Sequence, residues 1–69
     1  MSDFTLNKIE KIINRHTSMR MRNCAFYEGK MTEHANCRDF VGMKEYLLKK
    51  EAEEKIINLL EDILREVKE

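Results

Sequence analysis

The chain has 69 residues, of which 42% are hydrophobic and 38% are charged, and it contains neither Pro nor Trp. This length allows at most one domain, and such a composition excludes a disordered chain. Thirteen basic residues balance thirteen acidic residues. No stretch approaches the ~18 apolar residues of a membrane span, and the first residues lack the apolar core of a signal peptide. We therefore expect a cytoplasmic protein, in the host cytoplasm if the gene is viral.

The balanced charge is unevenly distributed along the chain. Residues 1–30 carry six bases and three acids, whereas residues 31–69 carry seven bases and ten acids. The two parts should therefore attract each other, either within one chain or between two copies. The alternative is a basic surface for nucleic acid.

The first predicted helix covers residues 4–28. Ser2 and Asp3 are suitable N-terminal caps, and apolar side chains then recur every three or four positions. Gly29 is the expected C-terminal cap, and Thr32 is the expected N-cap of a following helix. The sequence therefore predicts a turn at 29–32 between two antiparallel helices.

The second predicted helix covers residues 33–68 and has an apolar face along its whole length. A break near 49–53 is an alternative, in which the tail folds back as a third helix. The prediction is one all-α domain, residues 1–69, built as an antiparallel helical hairpin with a long second helix.

The end of the second helix predicts self-association. With these boundaries it outruns the first helix by roughly three turns, at 1.5 Å per residue. The overhang is apolar over nearly half its circumference, and a monomer rarely exposes such a surface. We therefore expect a homodimer or higher oligomer, forming a helical bundle, whose interface consists of Ile56, Ile57, Leu59, Leu60, Ile63, Leu64 and Val67.

Three potential metal ligands fall near the predicted turn. With the turn near 30–31, Cys24 would lie opposite Cys37, and His34 would lie close to both. Such a trio, with a carboxylate or water as fourth ligand, would suit zinc. We expect small buried thiols with a surface histidine, and the alternatives are this zinc site or a Cys24–Cys37 disulfide formed on oxidation. No cofactor is expected unless zinc is bound.

A basic cluster with a nearby aromatic ring suits phosphate or partner binding. The same groups also suit cation–π packing and pairing with the acidic second helix. No nucleic-acid-binding fingerprint is present. The candidate residues are Arg15, Arg20, Arg22, Lys30, Arg38 and Tyr27.

The sequence offers no joint set of nucleophile, base and oxyanion groups, and we therefore expect no enzyme. The predicted function is that of a small regulatory or adaptor protein, which binds itself and an unidentified protein partner. A composition rich in Ile, Lys, Glu and Asn is typical of small proteins from AT-rich bacterial or phage genes. The first alternative is a nucleic-acid-binding protein using the basic cluster, and the second is a small zinc-bound module.

Overall fold

The computed structural model of the chain describes residues 3–69. It contains two helices, α1 (Asp3–Asn36) and α2 (Phe40–Lys68), which pack against each other as a hairpin. The predicted all-α antiparallel hairpin is confirmed. Asp3 lies in the first turn of α1, whereas the predicted capping role of Ser2 lies outside the described residues. Neither helix in this part of the chain has the length and apolarity that a membrane crossing requires.

The helices meet along a seam whose residues recur every seven positions. On α1 the centre of the seam follows Leu6, Ile13, Arg20, Tyr27 and His34, and each of these side chains is buried or half-buried. A seven-residue repeat keeps one line of a helix facing its neighbour over many turns. The matching residues on α2 are Tyr46, Glu53, Leu60 and Val67.

The turn is a three-residue segment, residues 37–39. The N–H of Asp39 donates to the C=O of His34 at 2.8 Å, and the N–H of Arg38 donates to the C=O of Ala35 at 3.0 Å. Arg38 has φ 58. This pair of bonds around a left-handed residue is the Schellman motif, which closes the C-terminus of α1. Asp39 then caps α2, because its Oδ1 accepts the N–H of Gly42 at 3.0 Å.

The predicted position of the turn is wrong. Gly29 and Thr32 both lie inside α1, which runs on to Asn36. The hydroxyl of Thr32 donates to the C=O of Glu28 at 3.1 Å, a contact within one helix rather than a cap. Glycine ends a helix only where the chain enters the left-handed region, and that happens at Arg38 instead.

The predicted overhang is absent for the same reason. α1 has 34 residues and α2 has 29 residues, so the hairpin has arms of similar length and measures 53 × 15 × 10 Å. Lys68 Nζ lies 2.9 Å from Glu10 Oε1, which places the end of α2 beside the start of α1. The alternative break at 49–53 is also wrong, since α2 is continuous there. Self-association therefore cannot be argued from unequal arms.

Candidate interaction surface

The centre of the seam is polar. Arg20 Nη1 lies 3.1 Å from Glu53 Oε1 and 3.2 Å from Glu53 Oε2. The two side chains are 31% and 12% exposed, and Arg20 Nε is buried without a hydrogen-bond partner among the described residues. Glu53, a carboxylate, is the only buried residue of α2. This pair divides the apolar seam into a half near the turn and a half near the chain ends.

One side of the hairpin carries the ion pairs that flank the seam. Lys50 Nζ lies 3.0 Å from Glu28 Oε1 and 3.5 Å from Glu54 Oε1. The Lys68–Glu10 pair joins the helices on this side too. We call this the polar side of the hairpin. Glu28 raises the pKa of Lys50 by accepting its hydrogen bond, which keeps the ammonium charged.

The opposite side carries exposed apolar side chains. Ile12, Met19 and Phe26 follow one another at seven-residue intervals on α1 and are 41%, 39% and 58% exposed. Leu59 and Ile63 on α2 are 59% and 40% exposed. We call the side formed by these five residues the apolar side.

Helical geometry places the two apolar stripes on the same side of the seam. Each residue of the α1 stripe directly precedes a seam residue, and Leu59 likewise directly precedes Leu60. Viewed from one end, the two antiparallel helices wind in opposite senses. Residues that precede a seam residue by the same number of positions therefore lie on the same side of the hairpin in both helices. The ion pairs support this register, since Glu28 and Lys68 directly follow seam residues and lie on the other side.

The structure does not assemble the predicted basic cluster into one surface. Arg20 is held in the seam by Glu53. Tyr27 packs against the rings of Phe26 and Tyr46. Lys30 pairs with Glu33 at 3.3 Å, and Arg38 lies in the turn. Arg15 and Arg22 are exposed on α1.

Four exposed bases lie on the outer face of α1, which points away from α2. Between residues 4 and 26 this face carries no acid. A shallow groove of about 250 Å³ lies at one end of this face, lined by Phe4, Asn7, Lys8 and Lys11. The sequence pattern contained this arrangement, because Lys8, Arg15 and Arg22 are seven residues apart. The four bases are Lys8, Lys11, Arg15 and Arg22.

The structure does not bring Cys24, His34 and Cys37 together. Cys24 lies on the polar side, with Sγ 4.0 Å from the C=O of Lys50, whereas Cys37 is exposed in the turn. The predicted facing of the two cysteines is wrong because the turn lies eight residues later than expected. Both thiols are free, and no group of three or more His, Cys, Asp or Glu within residues 3–69 is arranged to hold a metal. Burial, together with the charge of Glu54, raises the pKa of the Cys24 thiol.

A compact cluster of His34, Asp39 and Tyr46 at the turn was not predicted from the sequence. His34 Nδ1 donates to Asp39 Oδ2 at 2.9 Å, and its ring stacks on Tyr46 at 5.4 Å between centroids. The Gly42 N–H, and after it the His34 contact, lower the pKa of Asp39. The available signal was Asp39 itself, a good N-cap residue directly before an apolar run.

A scan of protein-family models and searches of curated proteins and of solved structures found no match to this chain.

Proposed function

We propose that this chain is a small, non-enzymatic regulatory or adaptor protein that acts by binding other polypeptides, in the first place a second copy of itself. The observation that carries the proposal is the apolar side. Ile13 is the only apolar residue buried within the described chain, while the five apolar-side residues are each 39–59% exposed. Two helices alone leave these five side chains in water, and clustered exposed apolar side chains commonly mark an interaction site.

The size of the chain supports the same proposal. Chains of this length bury only about 60% of their unfolded surface and commonly need a disulfide, a metal or a partner for stability. Here the thiols are free. A partner on the apolar side would supply the missing burial. We also propose a cytoplasmic location, because a reducing compartment keeps thiols free.

Sedimentation and thermal unfolding test the proposal. We expect the wild-type protein to sediment as a dimer or larger species at tens of micromolar, and its Tm to rise with concentration, because association stabilises only the folded chain. A monomer with a Tm independent of concentration between about 1 and 100 μM would refute self-association.

The exposed bases of α1 support a second candidate, the binding of nucleic acid. Lys8, Lys11, Arg15 and Arg22 form a face that could follow a phosphate backbone. Fluorescence anisotropy with labelled single- and double-stranded DNA and RNA would test it. Binding through this face should weaken steeply as the salt concentration rises. On duplex DNA the logarithm of the binding constant should fall with the logarithm of the salt concentration, with a slope near −0.9 for each phosphate neutralised. The double variant Arg15→Gln, Arg22→Gln should also bind more weakly. Affinity unaffected by both changes would reject this candidate.

A further inference from the structure

We infer that the apolar side receives a second copy of this chain in a four-helix bundle, with α1 of each copy antiparallel to α2 of the other and both turns at the same end. The inference rests on the proposed self-association and specifies its surface and geometry. It differs from the interface expected from the sequence, which used α2 alone.

The dimensions of the hairpin fit one further hairpin. Its broad face spans 53 by 15 Å between Cα atoms, a projected area of about 800 Å². A stable protein–protein interface buries about 800 Å² on each partner. Because the two arms are of similar length, a second copy would cover the first from end to end. A single added helix would leave part of the face open.

The charges that border the apolar side favour a second copy as the occupant. Lys8, Arg15 and Arg22 each lie four residues before an apolar residue of the α1 stripe, and all three are exposed. Positions that directly precede a seam residue or lie two residues after one border this side on both helices. At these positions α1 carries Lys8, Arg15, Arg22 and one acid, Glu33, whereas α2 carries Glu45, Asp62, Glu66 and one base, Lys55. A mainly basic border on one arm and a mainly acidic border on the other make the surface complementary to itself.

The same charges select between two ways of pairing the copies. A twofold axis along the helices places α1 over α2 of the other copy, so that the basic border meets the acidic one. A twofold axis across the helices places α1 over α1, and opposes Lys8, Arg15 and Arg22 to bases. Like charges in apposition are destabilising, so the first arrangement is favoured. All neighbouring helices are then antiparallel, as in up-and-down bundles.

Two polar residues inside the new interface would specify its register. His16 and Asn23 lie between the α1 stripe and the seam, seven residues apart, and Asn23 is half-buried already. Polar groups at core positions of helical bundles fix the register and the number of helices at some cost in stability. The bundle would therefore form in one alignment rather than slide by a heptad.

Matched methionine variants test the surface. Met19 belongs to the apolar side and is 39% exposed, whereas Met21 is 58% exposed and lies towards the polar side. We expect Met19→Lys to raise the dimer Kd at least about tenfold, and Met21→Lys to change it less than about twofold. Leu59→Lys on α2 should raise the dimer Kd by a similar factor to Met19→Lys. Circular dichroism at high concentration checks that each variant remains helical.

Labels in the turn test the arrangement. Cys37 is exposed, and Cys24→Ser leaves it as the single thiol for a nitroxide label. With both turns at one end, two labels lie within roughly 15–30 Å, because neighbouring helices are 8–10 Å apart. With the turns at opposite ends, the labels lie about as far apart as the 53 Å length of the hairpin. Pulsed electron paramagnetic resonance separates these distances.

The outcomes separate the inference from the proposed function. A wild-type monomer at all concentrations refutes the self-association itself. A dimer that is insensitive to Met19→Lys and Leu59→Lys refutes the surface but leaves self-association standing. A dimer that both changes weaken, with labels about 50 Å apart, refutes the helix arrangement. Weakening by both changes together with a short label distance supports the inference.

Discussion

Arg20 and Glu53 are separated by 33 residues in the sequence, yet their charged groups meet 3.1 Å apart at the middle of the seam. The pair fixes which residues of α1 face which residues of α2. A shift of one helix by a turn would separate the two partly buried charges, at a cost in free energy. We therefore expect the contact to contribute more to the register than to the stability of the fold.

Glu53→Ala should destabilise the protein. It leaves the half-buried Arg20 guanidinium without its acceptor, whereas breaking a fully buried pair costs about 3–5 kcal/mol. Because the Arg20 side chain is 31% exposed and can reach water, we expect a loss of about 1–3 kcal/mol in the free energy of unfolding by urea. The double variant Arg20→Met, Glu53→Leu is the control. It should be as stable as wild type or more stable, and a double variant weaker than Glu53→Ala would contradict this account.

The two glycines should respond oppositely to alanine. Gly29 lies inside α1, and an added Cβ would meet nothing within 4 Å, so Gly29→Ala should stabilise by about 0.5–1 kcal/mol. At Gly42 the added Cβ would lie 2.6 Å from both Asp39 Oδ2 and His34 Nδ1. Gly42→Ala should therefore displace the turn cluster and lower stability. Urea unfolding of both variants provides the measurement, and equal gains at the two sites would contradict the packing described at the turn.

Protonation of the Asp39 carboxylate in acid should lower the stability of the protein. The folded-state pKa of this carboxyl lies below its usual value, so its contribution is complete well above the unfolded pKa of about 3.9. The contribution is lost as the pH falls through the folded-state pKa. Asp39→Asn keeps an acceptor for the Gly42 N–H, while Asp39→Ala removes it and should lower the Tm by a few degrees at pH 7, on the order expected for a lost cap. Between pH 5 and pH 3 the Tm of the wild type should fall more than the Tm of Asp39→Asn. Thermal unfolding of both proteins at several pH values in this range measures the difference.

The two thiols should react at different rates. Cys37 is exposed in the turn, whereas Cys24 is half-buried and has a raised pKa, so a smaller fraction of it is thiolate. With a chromogenic disulfide reagent at pH 8 we expect two phases that differ in rate by about tenfold or more. Cys37→Ser should remove the fast phase, and Cys24→Ser the slow one. Loss of the fast phase in Cys24→Ser would show that the assignment is reversed.

The sequence predicted the fold class but placed the turn wrongly. The helical periodicity, the absence of Pro and the antiparallel pairing were all readable, because they depend on local spacing. The turn was not, since its left-handed position holds Arg38 in place of the expected glycine. Gly29 offered a stronger local signal than the true turn, but the seam continues through Met31 and His34. Packing of these residues against α2 overrides the weak helix propensity of glycine.

Only the α2 part of the apolar side was predicted, because the turn was misplaced. Leu59 and Ile63 were expected at an interface, and both are exposed on the apolar side. The exposed stripe formed by Ile12, Met19 and Phe26 was not predicted. Which side of a helix remains open depends on the register of its partner, and an eight-residue error in the turn changes every facing pair. Cys24 therefore lies beside Lys50 and not beside Cys37.

The aromatic cluster beside the turn has a consequence for the order of folding. The ring of Tyr46 contacts the rings of Tyr27 and His34, and the three residues are at most 19 residues apart in the sequence. Closing so short a loop costs less entropy than joining the two chain ends. We expect the hairpin to form from the turn outwards, with the Arg20–Glu53 pair forming midway and the free ends closing last. The ends would then exchange their amide hydrogens fastest in a lone chain, and docking of a second copy would slow them most.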